Sequence, residues 1–187
     1  MIRIGDKVPD FELDAYHNDE IVKLRLTDFK GKWLVIAFYP ADFTFVCPTE
    51  LEELADYYEK FKEAGAEVVS VSCDTVYVHK AWHDTSPSIN KIKFPMIADP
   101  AGKLARYFGV YLEDEGVTLR ATFIVDPEGV VRAMDIHDNS IGRSAKEILR
   151  KLLASKYVYE HPGEVCPAEW EPGKETIKVS LDLVGKI

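Results

Sequence analysis

One uninterrupted apolar run, residues 33–39, constrains the fold more than any other part of the sequence. Its letters, Trp-Leu-Val-Ile-Ala-Phe-Tyr, are typical of a strand that is buried on both faces. Residues 48–65 follow with apolar side chains at three- and four-residue steps, which predicts an amphipathic helix. Residues 67–72 then predict a second buried strand. Strand, crossover helix and strand form a βαβ unit, so we expect the two strands to be parallel.

The second half of the chain predicts two more strands and a long helix. Residues 120–125 and 130–134 flank an Asp-Pro-Glu-Gly turn, which is typical of a hairpin. Ser144 and Glu147 have the spacing of a capping box that opens a helix. Weaker patterns predict further elements: a helix over 76–83, a strand over 95–98 and a helix over 103–108. A βαβ half joined to a ββα half predicts an α/β protein of thioredoxin-like fold, with a central mixed β-sheet flanked by helices.

The length is that of one domain. A chain of 187 residues is too short to divide comfortably into two domains, so we expect residues 1–187 to form a single one. The periodic pattern ends after Tyr157. Residues 158–187 contain three prolines and are expected to form an extended C-terminal tail that carries Cys166.

The charge balance limits the classes of partner. Lys and Arg number 23 against 32 Asp and Glu, which gives a net charge of -9. An acidic protein of this kind is a poor binder of nucleic acid or of an anionic membrane. The sequence has no apolar stretch typical of a signal peptide or a membrane span. We therefore expect a cytoplasmic protein whose thiols are kept reduced.

Three widely spaced cysteines, Cys47, Cys73 and Cys166, are the candidates for chemistry. None belongs to a Cys-x-x-Cys pair, so neither a zinc ribbon nor a thioredoxin-type dithiol is indicated. Each is either a small buried hydrophobe or a reactive thiol. Cys73 closes an apolar strand, which favours a buried inert thiol over a third redox partner.

Cys47 lies where the first buried strand gives way to a helix. A helix N-terminus presents unpaired N–H groups and a partial positive charge, which together stabilise a thiolate. Pro40 and Pro48 bracket the cysteine and stiffen its loop. Thr44 precedes it by three residues, and its hydroxyl could donate to the sulfur or to a bound oxygen. From position alone, a structural cysteine in the first helical turn is an equally good interpretation.

No cofactor is indicated. His79 and His83 stand four apart on the helix predicted over 76–83, but no glutamate lies between them, and packing or surface histidines are the better interpretation. The sequence contains neither a Gly-x-Gly-x-x-Gly nor a Walker-type loop, so flavin and nicotinamide binding are not predicted.

Two cysteine motifs resemble those of one family. Residues 40–47, Pro-Ala-Asp-Phe-Thr-Phe-Val-Cys, match the Pro-x-x-x-Thr-x-x-Cys motif of peroxiredoxins. Residues 164–170, Glu-Val-Cys-Pro-Ala-Glu-Trp, resemble the resolving-cysteine segment of typical two-cysteine peroxiredoxins. Residues 180–187 resemble the C-terminus of the bacterial alkyl hydroperoxide reductase members. The resemblance extends from Gly5 to Ile187.

The resemblance implies a thiol-dependent peroxidase that reduces hydrogen peroxide and organic hydroperoxides. Cys47 would be the peroxidatic cysteine and would pass through a sulfenic acid. Cys166 of a partner subunit would resolve it as an intersubunit disulfide. Thr44 and Arg120 would bind and polarise the peroxide.

Three further residues match family positions around the peroxidatic cysteine. Glu50 and Arg143 would orient the guanidinium of Arg120, and Pro40 would shield the site. The implied partners are hydroperoxides, a dithiol reductant (a thioredoxin-like protein or a flavoprotein disulfide reductase) and further copies of the chain, as a homodimer that assembles into a decamer. A redox-regulated chaperone or peroxide sensor is the alternative on the same fold. A thiol–disulfide oxidoreductase is a third alternative, which the absent Cys-x-x-Cys disfavours.

Peroxiredoxins that inactivate easily carry a Gly-Gly-Leu-Gly loop and a C-terminal Tyr-Phe pair, which slow the opening of the peroxidatic site. Here residues 88–94, Ser-Ile-Asn-Lys-Ile-Lys-Phe, contain no glycine, and residues 184–187 contain no Tyr-Phe pair. We therefore expect resistance to overoxidation.

Overall fold

The computed structural model describes residues 1–186, so Ile187, the last residue of the C-terminal motif, lies outside the described part. Its strands, in chain order, are β1 (Glu12–His17), β2 (Glu20–Arg25), β3 (Trp33–Phe38), β4 (Ala66–Ser72), β5 (Met96–Ala98), β6 (Tyr111–Leu112), β7 (Val117–Thr118), β8 (Arg120–Val125), β9 (Val131–His137), β10 (Glu164–Val165) and β11 (Ile177–Lys178). Its helices are α1 (Cys47–Glu63), α2 (Val76–Thr85), α3 (Lys103–Phe108) and α4 (Ala145–Glu160).

Seven of these strands form one mixed sheet, in the order β2-β1-β5-β4-β3-β8-β9. The strands β3, β4 and β5 are parallel to one another, as the predicted βαβ unit requires. The strands β8 and β9 continue the sheet from β3 in antiparallel register, which confirms the predicted hairpin. Two short antiparallel pairs, β6 with β7 and β10 with β11, lie apart from this sheet.

Helices cover both faces of the sheet, which confirms the thioredoxin-like architecture. Alternate residues of β3 point to opposite sides. Val35 and Ala37 share one core with α1, α4 and Trp82 of α2. Ile36 and Phe38 share the other core with α3. The run 33–39 is apolar throughout because both of its faces are buried.

The hairpin of β1 and β2 was not predicted from the sequence. Its turn residues, Asn18 and Asp19, both have the left-handed backbone, with φ of 51° and 63°. Two such residues form the type of turn that joins tightly paired antiparallel strands. The hairpin adds two strands beside β5, at the side of the sheet away from β8.

Two predictions at α4 need correction. The helix begins where Ser144 and Glu147 predict it, but neither side chain makes the capping bonds. Glu147 instead binds the guanidinium of Arg150, and Glu53 of α1 accepts the N–H of Ala145. The helix also continues to Glu160, three residues into the segment that the sequence assigned to the tail. Among residues 1–186, no helix combines the length and the apolar character needed to cross a bilayer.

Candidate active site

Cys47 is the first residue of α1 and is completely buried. Residues 39–46 connect it to the end of β3, and Pro48 occupies the first turn, where a missing N–H costs nothing. Phe43 of this loop has φ of 54°, a strained value for a side chain of its size, and its ring packs 5.9 Å from that of Trp82. All three cysteines are free thiols in this structure.

Arg120 reaches the sulfur from β8. Its Nη1 lies 3.2 Å from Sγ of Cys47 and also donates to Oε2 of Glu50 at 2.8 Å. Its Nε donates to the carbonyl oxygen of Asn139 at 2.9 Å. Ala121 of β8 pairs with Phe38, the last residue of β3. Arg120 is the residue before Ala121, so the strand pairing places it beside the loop that leads from β3 to Cys47.

Glu50 links the two arginines. It follows Cys47 by three residues, so both side chains lie on the same face of α1. Its Oε1 accepts the backbone N–H of Arg143 at 2.7 Å and the Nε of Arg143 at 2.8 Å, and its Oε2 accepts Nη2 of Arg143 at 3.1 Å. Arg143 also donates to the carbonyl oxygen of Ala121 at 2.8 Å. The charged side chains of Glu50, Arg120 and Arg143 are each at least 96% buried.

The charges of this cluster do not cancel. Two guanidinium groups and one carboxylate leave a net charge of +1 beside the sulfur. Burial alone would raise the pKa of Glu50, but the bonds from Arg143 and the charge of Arg120 lower it overall. Burial opposes the charge on Arg120, yet its contacts with Cys47 and Glu50 raise its pKa. An anion at Sγ would neutralise the cluster, which is the arrangement that favours a buried thiolate.

Thr44 and Pro40 lie in the loop that precedes Cys47. The Thr44 hydroxyl donates to the carbonyl oxygen of Ala41 at 2.8 Å, so it does not donate to the sulfur as one sequence interpretation allowed. Because its proton is committed, the oxygen of Thr44 offers its lone pairs. Pro40 is half-buried directly after Tyr39.

Cys166 follows β10 and is half-buried against α4. Its Sγ lies 3.9 Å from the carbonyl oxygen of Ala154. Burial raises the pKa of this thiol, against the opposing effect of Arg150. Nearby, Nη1 of Arg150 donates to the carbonyl oxygen of Trp170 at 3.0 Å, and the Trp170 side chain is buried. The structure therefore brings Arg120, Glu50 and Arg143 to Cys47, but it does not bring Cys166 there.

Cys73 was expected to be buried, and it is half-buried instead. Burial, with the charges of Asp99 and Asp74, raises the pKa of its thiol to about 12. Such a thiol remains protonated near neutral pH and is a poor nucleophile. The prediction that Cys73 is inert therefore has a physical basis.

His79 and His83 are packing histidines, as predicted. His79 is fully buried in contact with Asp42, and His83 contacts Tyr16 and the carbonyl oxygen of Ile92. Within residues 1–186, no group of three or more potential ligand side chains is arranged to hold a metal ion.

Asn139 was missed by sequence reasoning. Its carbonyl oxygen accepts a hydrogen bond from Nε of Arg120, and its Oδ1 accepts one from the backbone N–H of Arg120. Its Nδ2 donates to the carbonyl oxygen of Thr118. Asn139 lies in a loop of ordinary polar residues and carries no local signal. Only the fold reveals that it supports the arginine.

The fold and this site together define a thiol-dependent peroxidase. The sequence profile of the AhpC/TSA family matches residues 4–134, and that of the C-terminal domain of 1-Cys peroxiredoxin matches residues 154–186. The chain therefore belongs to the AhpC/TSA family, and its resemblance to the peroxiredoxins is confirmed.

Two relatives match the chain over its whole length, and two solved structures match most of it. Alkyl hydroperoxide reductase C of Salmonella typhimurium and that of Bacillus subtilis are each 51% identical over 187 residues, which is 100% of both chains. The crystal structure of Enterococcus faecalis AhpC is 52% identical, with a TM-score of 0.86 over 89% of this chain and all of that one. The reduced 2-Cys peroxiredoxin of Plasmodium vivax is 34% identical, with a TM-score of 0.91 over 96% of this chain and 94% of that one.

Proposed function

We propose that Cys47 is the peroxidatic residue of this thiol-dependent peroxidase. Its thiolate attacks one oxygen of a hydroperoxide, the O–O bond breaks, and the leaving oxygen takes a proton. The products are Cys47 sulfenic acid and water or an alcohol. The observation that carries this proposal is the 3.2 Å contact between Nη1 of Arg120 and Sγ of Cys47, within a buried cluster of net charge +1.

Thiolate formation alone does not make an efficient peroxidase. A thiol whose pKa falls from about 8.5 to about 6 gains roughly 30-fold in thiolate at pH 7, but its nucleophilicity falls about 10–18-fold. The net gain is only about two- to threefold. Most of the rate must therefore come from orienting the peroxide and stabilising the charge that develops on its oxygens.

Thr44 and Arg120 are the groups that can supply this orientation. The Thr44 hydroxyl donates its hydrogen bond to the carbonyl oxygen of Ala41, so its oxygen can accept a hydrogen bond from the O–H of a bound hydroperoxide. The guanidinium of Arg120 faces the sulfur and can donate to the oxygens on which negative charge develops. Glu50 and Arg143 act as positioning residues that fix Arg120, and Pro40 limits the access of water.

Cys166 acts as the resolving cysteine. Its thiol attacks the sulfenic sulfur, a disulfide forms, and water leaves. The resolving role depends on how α1 and α4 lie against each other. The N–H of Ala145 donates to the carboxylate of Glu53, and Nζ of Lys156 donates to the carbonyl oxygen of Ala64. From these two contacts it follows that the two helices run side by side in the same direction.

The place of Cys166 along α4 favours resolution between subunits. Cys166 contacts Ala154, nine residues beyond Ala145 and therefore about 14 Å along the helix from the end near Cys47. A disulfide needs Cα atoms within roughly 7 Å. A Cys166 from a partner subunit therefore fits better than the one in the same chain.

A dithiol reductant closes the cycle, being oxidised to its own disulfide as both thiols are restored. It is a thioredoxin-like protein or a flavoprotein disulfide reductase. The chain acts as a single cytoplasmic domain with a C-terminal tail, in homodimers that assemble into a decamer.

A non-reducing gel and intact mass before and after one equivalent of hydrogen peroxide test the proposal. The wild type should convert to a covalent dimer, and Cys47→Ser should neither consume peroxide nor form that dimer. A Cys47→Ser protein that keeps even a tenth of the turnover would overturn the assignment. Peroxide turnover with a supplied dithiol also separates an enzyme from a chaperone or a sensor that reacts only once.

A further inference from the structure

A buried polar network lies directly behind the loop that carries Thr44. His79 of α2 contacts Oδ2 of Asp42 through Nδ1 at 2.7 Å, and neither side chain is exposed. The hydroxyl of Tyr39, the residue after β3, donates to Oδ1 of the same carboxyl group at 2.6 Å. The peroxidase chemistry above uses none of these three side chains.

The hydrogen-bond partners fix the protons of His79. Its Nε2 lies 3.2 Å from the carbonyl oxygen of Ile97, which can only accept, so Nε2 carries a proton. The Nδ1 contact with Asp42 then contains a second proton, held by the ring or by the carboxyl group. Burial raises the pKa of Asp42 even against the bond from His79, which is consistent with such sharing. In either form the bond is strong and fully protected from water.

Asp42 is also tied to the end of β4. Its backbone N–H donates to Oδ2 of Asp74 at 2.9 Å, and the same oxygen accepts from the hydroxyl of Ser72 at 2.7 Å. Asp42 is therefore held from α2 through its side chain, and through its backbone from Asp74 in the connection between β4 and α2. The preceding residue, Ala41, provides the carbonyl oxygen that fixes the hydroxyl of Thr44.

We propose that His79 is a positioning residue for peroxide reduction: its bond to Asp42 holds residues 40–46 in the arrangement that presents Thr44 to the peroxide. This inference rests on the proposed roles of Cys47 and Thr44. The loop must leave this arrangement when the first turn of α1 opens to form the disulfide. The bond therefore favours reaction with peroxide over disulfide formation.

Two substitutions at residue 79 distinguish the role of the Nδ1 bond from that of the Nε2 bond. The amide nitrogen of Asn occupies the place of Nδ1, so His79→Asn keeps the bond to Asp42 and loses the one to Ile97. The amide nitrogen of Gln occupies the place of Nε2, so His79→Gln does the reverse. His83→Gln is the matched control, because it lies one turn further along α2 and its ring contacts Tyr16 at 3.3 Å, away from the loop.

The measurements are the rate constant for Cys47 oxidation by hydrogen peroxide in a single turnover and the ratio of sulfinic acid to disulfide at higher peroxide. We expect His79→Gln to lower the rate constant about tenfold, because a displaced loop misplaces Thr44. We also expect it to lower the sulfinic fraction. His79→Asn should stay within about threefold of the wild type, as should His83→Gln.

Asp42→Ala breaks the same bond from the loop side, so it replaces His79→Gln in these measurements if that variant does not fold. Because Asp42→Ala also removes the bond from Tyr39, its effect should be at least as large as that of His79→Gln, and the double variant should be little worse than Asp42→Ala alone. Equal losses in His79→Gln and His79→Asn would overturn the inference, and so would an unchanged rate in Asp42→Ala. If the wild-type Cys47 itself does not react with peroxide, the proposed function fails instead.

Discussion

Arg120 and Cys47 are 73 residues apart in the chain, yet Nη1 of the arginine lies 3.2 Å from the sulfur. The same nitrogen is bonded to Glu50 at 2.8 Å. The sulfur and the carboxylate therefore share one donor, and the position of that donor is set by Glu50 and by the carbonyl oxygen of Asn139. A change at any of these groups alters the electrostatic environment of the thiol.

The first prediction concerns the geometry of this donor. Arg120→Lys keeps a positive charge but cannot bond Cys47, Glu50 and Asn139 at once, because an ammonium lacks the planar fork of a guanidinium. We expect kcat/KM for hydrogen peroxide to fall about 100-fold, the scale for losing one oriented donor. Steady-state kinetics with a supplied dithiol measures this. Arg132→Lys, at a half-exposed arginine paired with Asp126, is the control and should remain fully active.

Glu50 gives a prediction about stability and pH. Its folded-state pKa is lowered, so its ionised form stabilises the fold above the ordinary carboxyl pKa of 4.5, and this contribution is lost as the pH falls toward the lowered value. Glu50→Gln leaves two buried guanidinium groups without their anion, at a cost of about 3–5 kcal/mol at pH 7. Urea unfolding at pH 7 and below pH 4.5 should show the gap between the variant and the wild type narrowing on acidification. A gap that does not change with pH would contradict this account.

The sequence predicts what depends on local pattern. The strand at residues 33–39 and the helix α1 follow from apolar periodicity, so the position of Cys47 at a helix start was predictable. The three-residue spacing places Glu50 on the face of Cys47 for the same reason. As site residues, Glu50, Arg120 and Arg143 came only from the family resemblance, since nothing in periodicity indicates that a strand residue and a loop residue meet at α1.

Contacts between distant polar groups could not be predicted. Asn139 supports Arg120 from a loop, and Asp42 contacts His79, which is 37 residues further along the sequence. The capping box at Ser144 failed for a related reason. Glu147 pairs with Arg150, one turn along the same helix, and the N–H of Ala145 donates to Glu53 of α1. One local ion pair and one tertiary contact therefore replace the two capping bonds.

Cys166→Ser tests resolution. Cys47 should still react once with peroxide and give a sulfenic acid, but no covalent dimer should appear because the partner thiol is missing. Trapping with a sulfenic-acid reagent followed by intact mass would show a single modification at Cys47. A normal peroxide-induced dimer in this variant would assign the resolving role to Cys73.

Cys73→Ser should leave peroxide turnover unchanged, because a thiol with a pKa of about 12 contributes almost no thiolate at neutral pH. The hydroxyl would be half-buried against apolar neighbours, so the expected cost is stability of about 1–3 kcal/mol. Thermal unfolding and steady-state kinetics on the same preparation measure both effects. A well-folded variant with greatly reduced turnover would show that Cys73 takes part in the cycle.

The last prediction concerns a second oxidation of Cys47, in which the sulfenate attacks another hydroperoxide and becomes a sulfinate. Residues 88–94 contain no glycine-rich loop. Ile89, Ile92 and Phe94 are buried in the core that they share with α1. The polar contacts of this segment with α1 are hydrogen bonds from Ser88 and Lys91 to the carboxylate of Glu52, at 2.8 and 2.6 Å. These bonds lie beyond the first turn and are partly exposed, so they stabilise that turn little. Without a glycine-rich loop and a C-terminal Tyr-Phe pair over it, the turn should open more often than in peroxiredoxins that carry both, and Cys166 should capture the sulfenic acid first. Mass spectrometry during turnover should show almost no sulfinic Cys47 below about 1 mM peroxide, and substantial sulfinic acid there would contradict the prediction.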